Sequence, residues 1–316
     1  MAFIRTFVPH VPAMRDTMPL ALKNAHPRDA LVSFDEATHA YFVLHKESLT
    51  YIKVCISVSG LYKQFFNDFD SKTMSLSVAK KRKSDKSSPY YWLLQATETE
   101  EEGAQAIREA WEKLGSRASG FGTKAHLHAE LALNGKLDEP AVHLPAPSRA
   151  ALAWIDAKRL SHGWEPFRTE YSIFMDMANP TTKDGSYFKN QPYILAGQID
   201  ALFRDPSTND IHMADWKFCQ KDKLDATSGA FGGRPPPNGL GPLANVPDNS
   251  LGHYTVQQSL YAYMLKKRYD ITVASASLVH IPTDVETPTA REIPLTLLDD
   301  DVLEKMFQEY VETRRV

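Results

Sequence analysis

Three strand-forming segments crowd the middle of the chain: RTEYSIFM (168–175), YILAGQIDALFR (193–204) and DIHMADWKF (210–218). Each carries β-branched and aromatic residues. DPSTN separates the last two, and that turn chemistry predicts an antiparallel hairpin. Helical patterns flank the three. SRAALAWIDAKRL (148–160), with Ser148 as a plausible cap, precedes them, and a helix over about 252–268 follows. Strands and helices thus share one α/β (α+β) chain.

Residues 31–57 read as strands split by a polar turn, and SGLYKQFFN (about 58–66) as a short helix. Residues 70–89 are polar and basic. The acidic run Glu98, Glu100, Glu101 and Glu102 opens a helix to about Leu114, where acids suit the helix dipole. Gly115 and Gly120 punctuate the chain before a second helix over about 122–134. Residues 225–250, with FGGRPPPNGLGP, read as a long loop. A strand (271–281) and a C-terminal helix (about 300–314) close the chain. Residues 1–30 read as a loosely ordered or targeting arm. Residues 31–316 form a single domain: an elaboration (31–118), a core (119–285) and a last helical segment (286–316).

Lys plus Arg is 36 against 39 acids, a net charge of −3, which excludes nucleic-acid binding by bulk charge but not a local basic groove. Two cysteines cannot make a disulfide framework, a four-cysteine zinc site or a cysteine-ligated cluster. A reducing, intracellular compartment is the default, with nucleus, cytoplasm and mitochondrion left open. No apolar run is long enough to span a bilayer, so no membrane partner is expected.

The chemistry-bearing residues cluster in order. In ADWKF, strand alternation puts Asp215 and Lys217 on one face. Asp200, in GQID, lies on the preceding strand, and a hairpin brings the two carboxylates together. Such a pair suits Mg²⁺ or Mn²⁺, which prefer oxygen ligands. Gly197 allows close approach. In GTKAHLHAE, His126 and Glu130 share a helical face, so a ligand histidine and a supporting carboxylate are possible there. His128 diverges from His126, which argues against zinc. Glu170 either completes the acidic cluster or pairs with Arg168 or a helix lysine. In YTVQQSLYAYML, Tyr254, Gln257 and Tyr261 fall near one face, able to hold a phosphate or sugar or to lock the neighbouring strand. Trp164 and Phe167 read as packing. The stretch Lys80, Lys81, Arg82 and Lys83 reads as a solvated loop, a localisation signal or a DNA contact. Tyr90, Tyr91 and Trp92 beside it could stack bases.

Taken in order, G-T-x-x-H-x-x-x-E, a strand Glu, G-x-x-D, D-x-K and Q-x-x-x-Y resemble the PD-(D/E)xK nuclease superfamily. The branch is that of the RecB nuclease domain, lambda-type exonucleases and mitochondrial genome maintenance exonucleases. VSFDEATHAYFV, ISVSGLYKQFFNDFD and AWEKLGSRASGFGTKAHLHAE also look family-like, and the resemblance covers about residues 31–282. It implies a restriction-endonuclease-like core: a central mixed β-sheet flanked by helices, with a helical N-terminal elaboration.

The resemblance also implies ligands for one or two Mg²⁺ or Mn²⁺ ions from His126, Asp200, Asp215 and the Trp216 backbone carbonyl. Lys217 would be catalytic, with Glu170, Gln257 and Tyr261 in the same machinery and Glu130 in support. Asp215 stands where many members have Glu. The cluster cysteines of some relatives are absent, so no iron–sulfur cluster is expected. The implied activity is hydrolysis of DNA, exonucleolytic and acting on single strands or free ends, in replication, repair or recombination. A structure-specific endonuclease and an inert nucleic-acid-binding module are the alternatives. A glycosidase would also use paired acids, but it has no role for the lysine.

Overall fold

The computed structural model describes residues 18–45, 49–54, 56–178, 193–225 and 235–314. Residues 226–234 of the loop expected over 225–250 and most of the expected arm lie outside them. The described elements are α1 (Pro19–Lys23), β1 (Val32–Asp35), β2 (Ala40–His45), β3 (Thr50–Lys53), β4 (Ile56–Ser57), α2 (Val58–Tyr62), α3 (Ser71–Arg82), α4 (Tyr91–Gln95), α5 (Glu100–Leu133), α6 (Ala146–His162), β5 (Glu165–Asp176), β6 (Ile194–Arg204), β7 (Ile211–Cys219), α7 (Ser250–Arg268), β8 (Val273–Pro282), β9 (Arg291–Leu295) and α8 (Asp300–Glu312). This is a mixed α+β chain. Among the described residues no helix is long and apolar enough to cross a membrane.

β4 to β9 form a mixed six-stranded sheet, and β1–β3 a separate antiparallel one. One face of the large sheet packs on α5 and α6 through Ala125, Ala129, Trp154, Ala201, Trp216 and Phe218. The other packs on α2, α7 and α8 through Leu61, Ile199, Met213, Leu260 and Phe307. Helices on both faces explain why the strands read as nearly continuous apolar runs.

The site follows from an arrangement around β6. β5 runs antiparallel along the whole of one edge, from Glu165↔Arg204 to Asp176↔Ile194. The other edge is divided. β4 pairs in parallel at its start, through Ile56↔Leu195 and Ser57↔Ala196, and β7 pairs antiparallel at its end, up to Ala201↔Ala214. Gly197–Asp200 therefore faces a fork where one neighbour has ended and the other has peeled away. Crevices at such switch points are where open sheets bind ligands. Tyr261 of α7 fills the start of the fork: a Cβ on Gly197 would meet its Cε1 at 2.5 Å. The close approach expected at Gly197 is thus made by a tyrosine ring.

Several local expectations are corrected. The helix break at Gly115 and Gly120 is absent, and α5 runs through both as 34 residues. Each mid-helix glycine costs about 1 kcal/mol, which packing can offset. α5 is held at its start by Ala79, Leu94, Ala104 and Ile107 and at its end by the sheet. Thr99 and Glu102, the last acid of the run, close a capping box over the first turn. Ser148 is not a cap. α6 begins two residues earlier, and Ser148 is buried with its hydroxyl 2.8 Å from His128 Nδ1. The basic stretch is not a loop, because Lys80, Lys81 and Arg82 form the last turn of α3, where cations suit the helix dipole. VSFDEATHAYFVL holds a hairpin of its own, β1–β2. β9, unforeseen, is an edge strand whose Pro294 suits that position.

Residues 18–31 are not a free arm. The Arg28 guanidinium donates to the Phe174 carbonyl at 2.9 Å, and Asn24 donates to the Phe167 carbonyl at 2.7 Å. Arg168 reaches back to Asp29 at 2.8 Å. The segment is stapled along β5, immediately beside Glu170.

Candidate metal centre

Strand alternation breaks at Glu170 and Asp200. Tyr171 and Ile199 are a registered pair on the α7 face, whereas Ala201, two residues beyond Ile199, packs on the α5 face. A regular strand would keep both on one side. Glu170 carries the irregularity in its backbone, at φ +44°. A non-glycine residue held there costs on the order of 1–3 kcal/mol, and such strain clusters at functional sites. Arg168 stacks on Tyr171 at 3.8 Å and pairs with Asp29. Of the two readings open for Glu170, pairing with Arg168 is not the one realised.

Glu170 instead joins His126 and Asp200. His126 Nδ1 lies 3.7 Å from Glu170 Oε1 and 3.5 Å from Asp200 Oδ2. One donor atom from each of the three lies within 4.8 Å of the others, so the group could hold a metal ion. The donor set suits a cation in another respect. Burial raises the Asp200 carboxyl above its ordinary range, His126 opposes this and Glu170 adds to it. Burial works against charge on His126, but Asp200 and Glu170 outweigh it and raise the imidazole to about 9. Two crowded carboxylates that draw on a nearby imidazolium form a site able to accept positive charge.

The hairpin expected between β6 and β7 forms, and Asp200 and Asp215 stand on either side of the fork. Asp215 is not one of the three grouped donors. Its Oδ2 lies 2.5 Å from Lys217 Nζ, and its Oδ1 accepts from Gln258 Nε2 at 2.9 Å. Burial raises Asp215 to about 6, against the opposing pull of Lys217. Lys217 is raised above its ordinary value: burial would lower it, and Asp215 more than compensates. Its ammonium also sits 4.2 Å from the centre of the Tyr254 ring. The Trp216 amide donates to Asp200 Oδ2 at 2.8 Å, tying the two strands across the fork. The β6–β7 ladder itself ends at Ala201↔Ala214, so this side-chain bond is made where the two strands have parted.

The remaining candidates are placed as follows. Glu130 is buried one turn beyond His126, next to Asn134, whose side chain bonds the Glu130 carbonyl and Thr169 Oγ1, each at 2.9 Å. It lies outside the three-donor group. Gln257 lies 3.4 Å from the Tyr261 hydroxyl, and Tyr261 is buried against Gly197, so the Q-x-x-x-Y pair packs at the start of the fork. Gln258, not singled out in the sequence, is the glutamine that holds Asp215. No local signal separates the two glutamines: Gln258 lies one turn after Tyr254, just as Gln257 lies one turn before Tyr261.

Of the basic stretch, Lys80 pairs with Glu100 at 3.3 Å, Arg82 with Asp85 at 2.6 Å, and Lys83 donates to the Thr97 carbonyl at 3.1 Å. Lys81 is exposed in the same turn. The Tyr90 hydroxyl accepts from Trp111 Nε1 at 2.8 Å. Trp92 is 81% exposed, with the Tyr91 ring 5.1 Å away.

No family model and no curated protein matches the chain. Ten chains of solved structures match. One of them, described as "Crystal structure of SSO0001", is 15% identical over 63% of this chain and 71% of its own, with a TM-score of 0.27.

Proposed function

We infer that this chain is a Mg²⁺- or Mn²⁺-dependent deoxyribonuclease of the PD-(D/E)xK kind, acting exonucleolytically on single-stranded ends. One observation carries the reading. A three-donor group of an imidazole and two carboxylates stands at a strand fork, and a buried carboxylate–lysine pair sits on the next strand. His126, Glu170 and Asp200 would hold the ion, with Asp215 and the Trp216 carbonyl beside them. When bound, such an ion supplies Lewis-acid neutralisation of the phosphate and acidifies a water.

The protein's own groups supply the rest. Lys217, kept protonated by Asp215, puts a fixed cation where negative charge develops. Gln258 fixes the Asp215 rotamer, and the Tyr254 ring walls the ammonium from the α7 side. The Trp216 amide aims one Asp200 oxygen and so sets the geometry of the donor group. A glycosidase has no use for the lysine, whereas phosphodiester hydrolysis does.

The test is degradation of end-labelled linear single-stranded DNA. Chelator should abolish it, and added Mg²⁺ or Mn²⁺ should restore it; undiminished cutting in excess chelator would sink the metal mechanism. Covalently closed circles of the same sequence should survive. Comparable loss of the circles would favour the endonuclease.

The two histidines should separate in a Mn²⁺ titration. His126→Ala is expected to weaken binding strongly and His128→Ala to leave it near wild type, because His128 bonds Ser148 on α6. Equal losses would refute the assignment of His126.

A further inference from the structure

A cleft of about 800 Å³ lies beside α5. Phe69, Tyr90, Trp111 and Phe121 give it an aromatic wall, and its lining also includes Lys223, Asp284 and Glu286. At 1.5 Å per residue, α5 places Phe121 roughly 7.5 Å and Trp111 roughly 22 Å from His126. At the near end Cys219 lines the cleft, two residues along β7 from Lys217 and on the same strand face, so the cleft opens beside the carboxylate–lysine pair.

Two features set this wall apart from ordinary packing. Phe69 is 68% exposed with its ring 5.8 Å from Trp111, so a large apolar face is left open to solvent. Trp111 is held by its bond to the Tyr90 hydroxyl, so its indole plane is oriented in advance. Asp284 and Glu286 outnumber the one cation of the lining, Lys223, so the rings rather than a basic wall would hold a strand, with its bases turned inward.

We propose that the cleft is a base-stacking channel, in which unpaired bases of the strand under attack lie on Trp111, Phe69 and Phe121 while a phosphate of that strand reaches the His126–Glu170–Asp200 group. This rests on the nuclease reading and names its substrate contacts. It moves the stacking role from Tyr91 and Trp92 to rings that line the cleft. Duplex is excluded because its base faces are already stacked on one another. Aromatic stacking tolerates any base, so the channel selects for single strands without selecting sequence.

The experiment measures binding of a twelve-nucleotide single strand, and of an abasic strand with the same number of phosphates, to the Asp200→Asn protein and to derivatives of it. Phe69→Ala and Trp111→Ala should each weaken the base-bearing strand about 5- to 100-fold. The abasic strand should bind equally to all of them. The slope of log affinity against log salt should not change, since no phosphate contact is lost. Phe69 is exposed, so its variant tests the channel even if Trp111→Ala fails to fold. Equal affinity of the parent for base-bearing and abasic strands would overturn the channel. So would wild-type binding by Phe69→Ala, and if the native chain still cuts DNA with metal, the nuclease reading survives. A native chain that neither binds nor cuts DNA removes both.

Discussion

Lys217→Ala is expected to cut DNA about 10²–10³-fold more slowly while keeping most of its DNA affinity. A fixed cation at a developing charge can be worth that much in rate. One cation among several phosphate contacts contributes little to binding. The substitution also leaves Asp215 buried with Gln258 as its remaining hydrogen-bond partner among the described residues, and breaking a buried pair typically costs about 3–5 kcal/mol. The melting temperature should therefore fall together with the rate. Measuring the rate well below the new melting temperature separates the two effects. Cleavage within a few-fold of wild type under those conditions would show that Lys217 is not the charge-stabilising group.

Asp200→Asn is expected to abolish metal binding without unfolding the chain. Asparagine keeps an oxygen for the Trp216 amide but removes the charge. Losing an outer partner of a metal site costs about 10–100-fold in affinity, and a direct ligand should cost more. Stability should move the other way. The Asp200 carboxyl is raised above its ordinary value by burial and by Glu170, so the folded state favours the protonated form. Above the unfolded carboxyl's range, the buried charge therefore lowers the stability of the metal-free protein. The neutral isostere should melt no lower than wild type in chelator, and Mn²⁺ should raise the wild-type melting temperature alone. A variant that melts well below wild type, or that still gains stability from Mn²⁺, would contradict the placement of Asp200 in the donor group.

Much of the donor chemistry was legible in the sequence because it rests on local periodicity. The i, i+2 spacing in ADWKF put Asp215 and Lys217 on one face, where the ammonium and carboxylate now touch. The helical register of GTKAHLHAE separated His126 from His128, and the two indeed bond to different elements. Other features left no such trace. A left-handed glutamate in a strand has no composition signal, so two readings of Glu170 stayed open. Gln257 and Gln258 are adjacent and chemically identical, and only the roll of α7 against β7 puts the second of them on Asp215. Gly115 and Gly120 are helix-weakening by propensity, yet α3 and the sheet hold α5 straight through them.

The sequence by itself determined the α+β class, the strand positions of Asp200, Asp215 and Lys217, and the helical placement of His126. All of these follow from side-chain period, which is set by backbone geometry within a few residues. Tertiary structure alone decided which carboxylate meets the histidine. The parallel β4 and the antiparallel β7 share one edge of β6, and where they part the pleat changes phase. That change turns Glu170 and Asp200 toward α5, while Asp215 stays with α7. It depends on residues far apart in the chain meeting at one fork, and no window of neighbouring residues encodes that meeting.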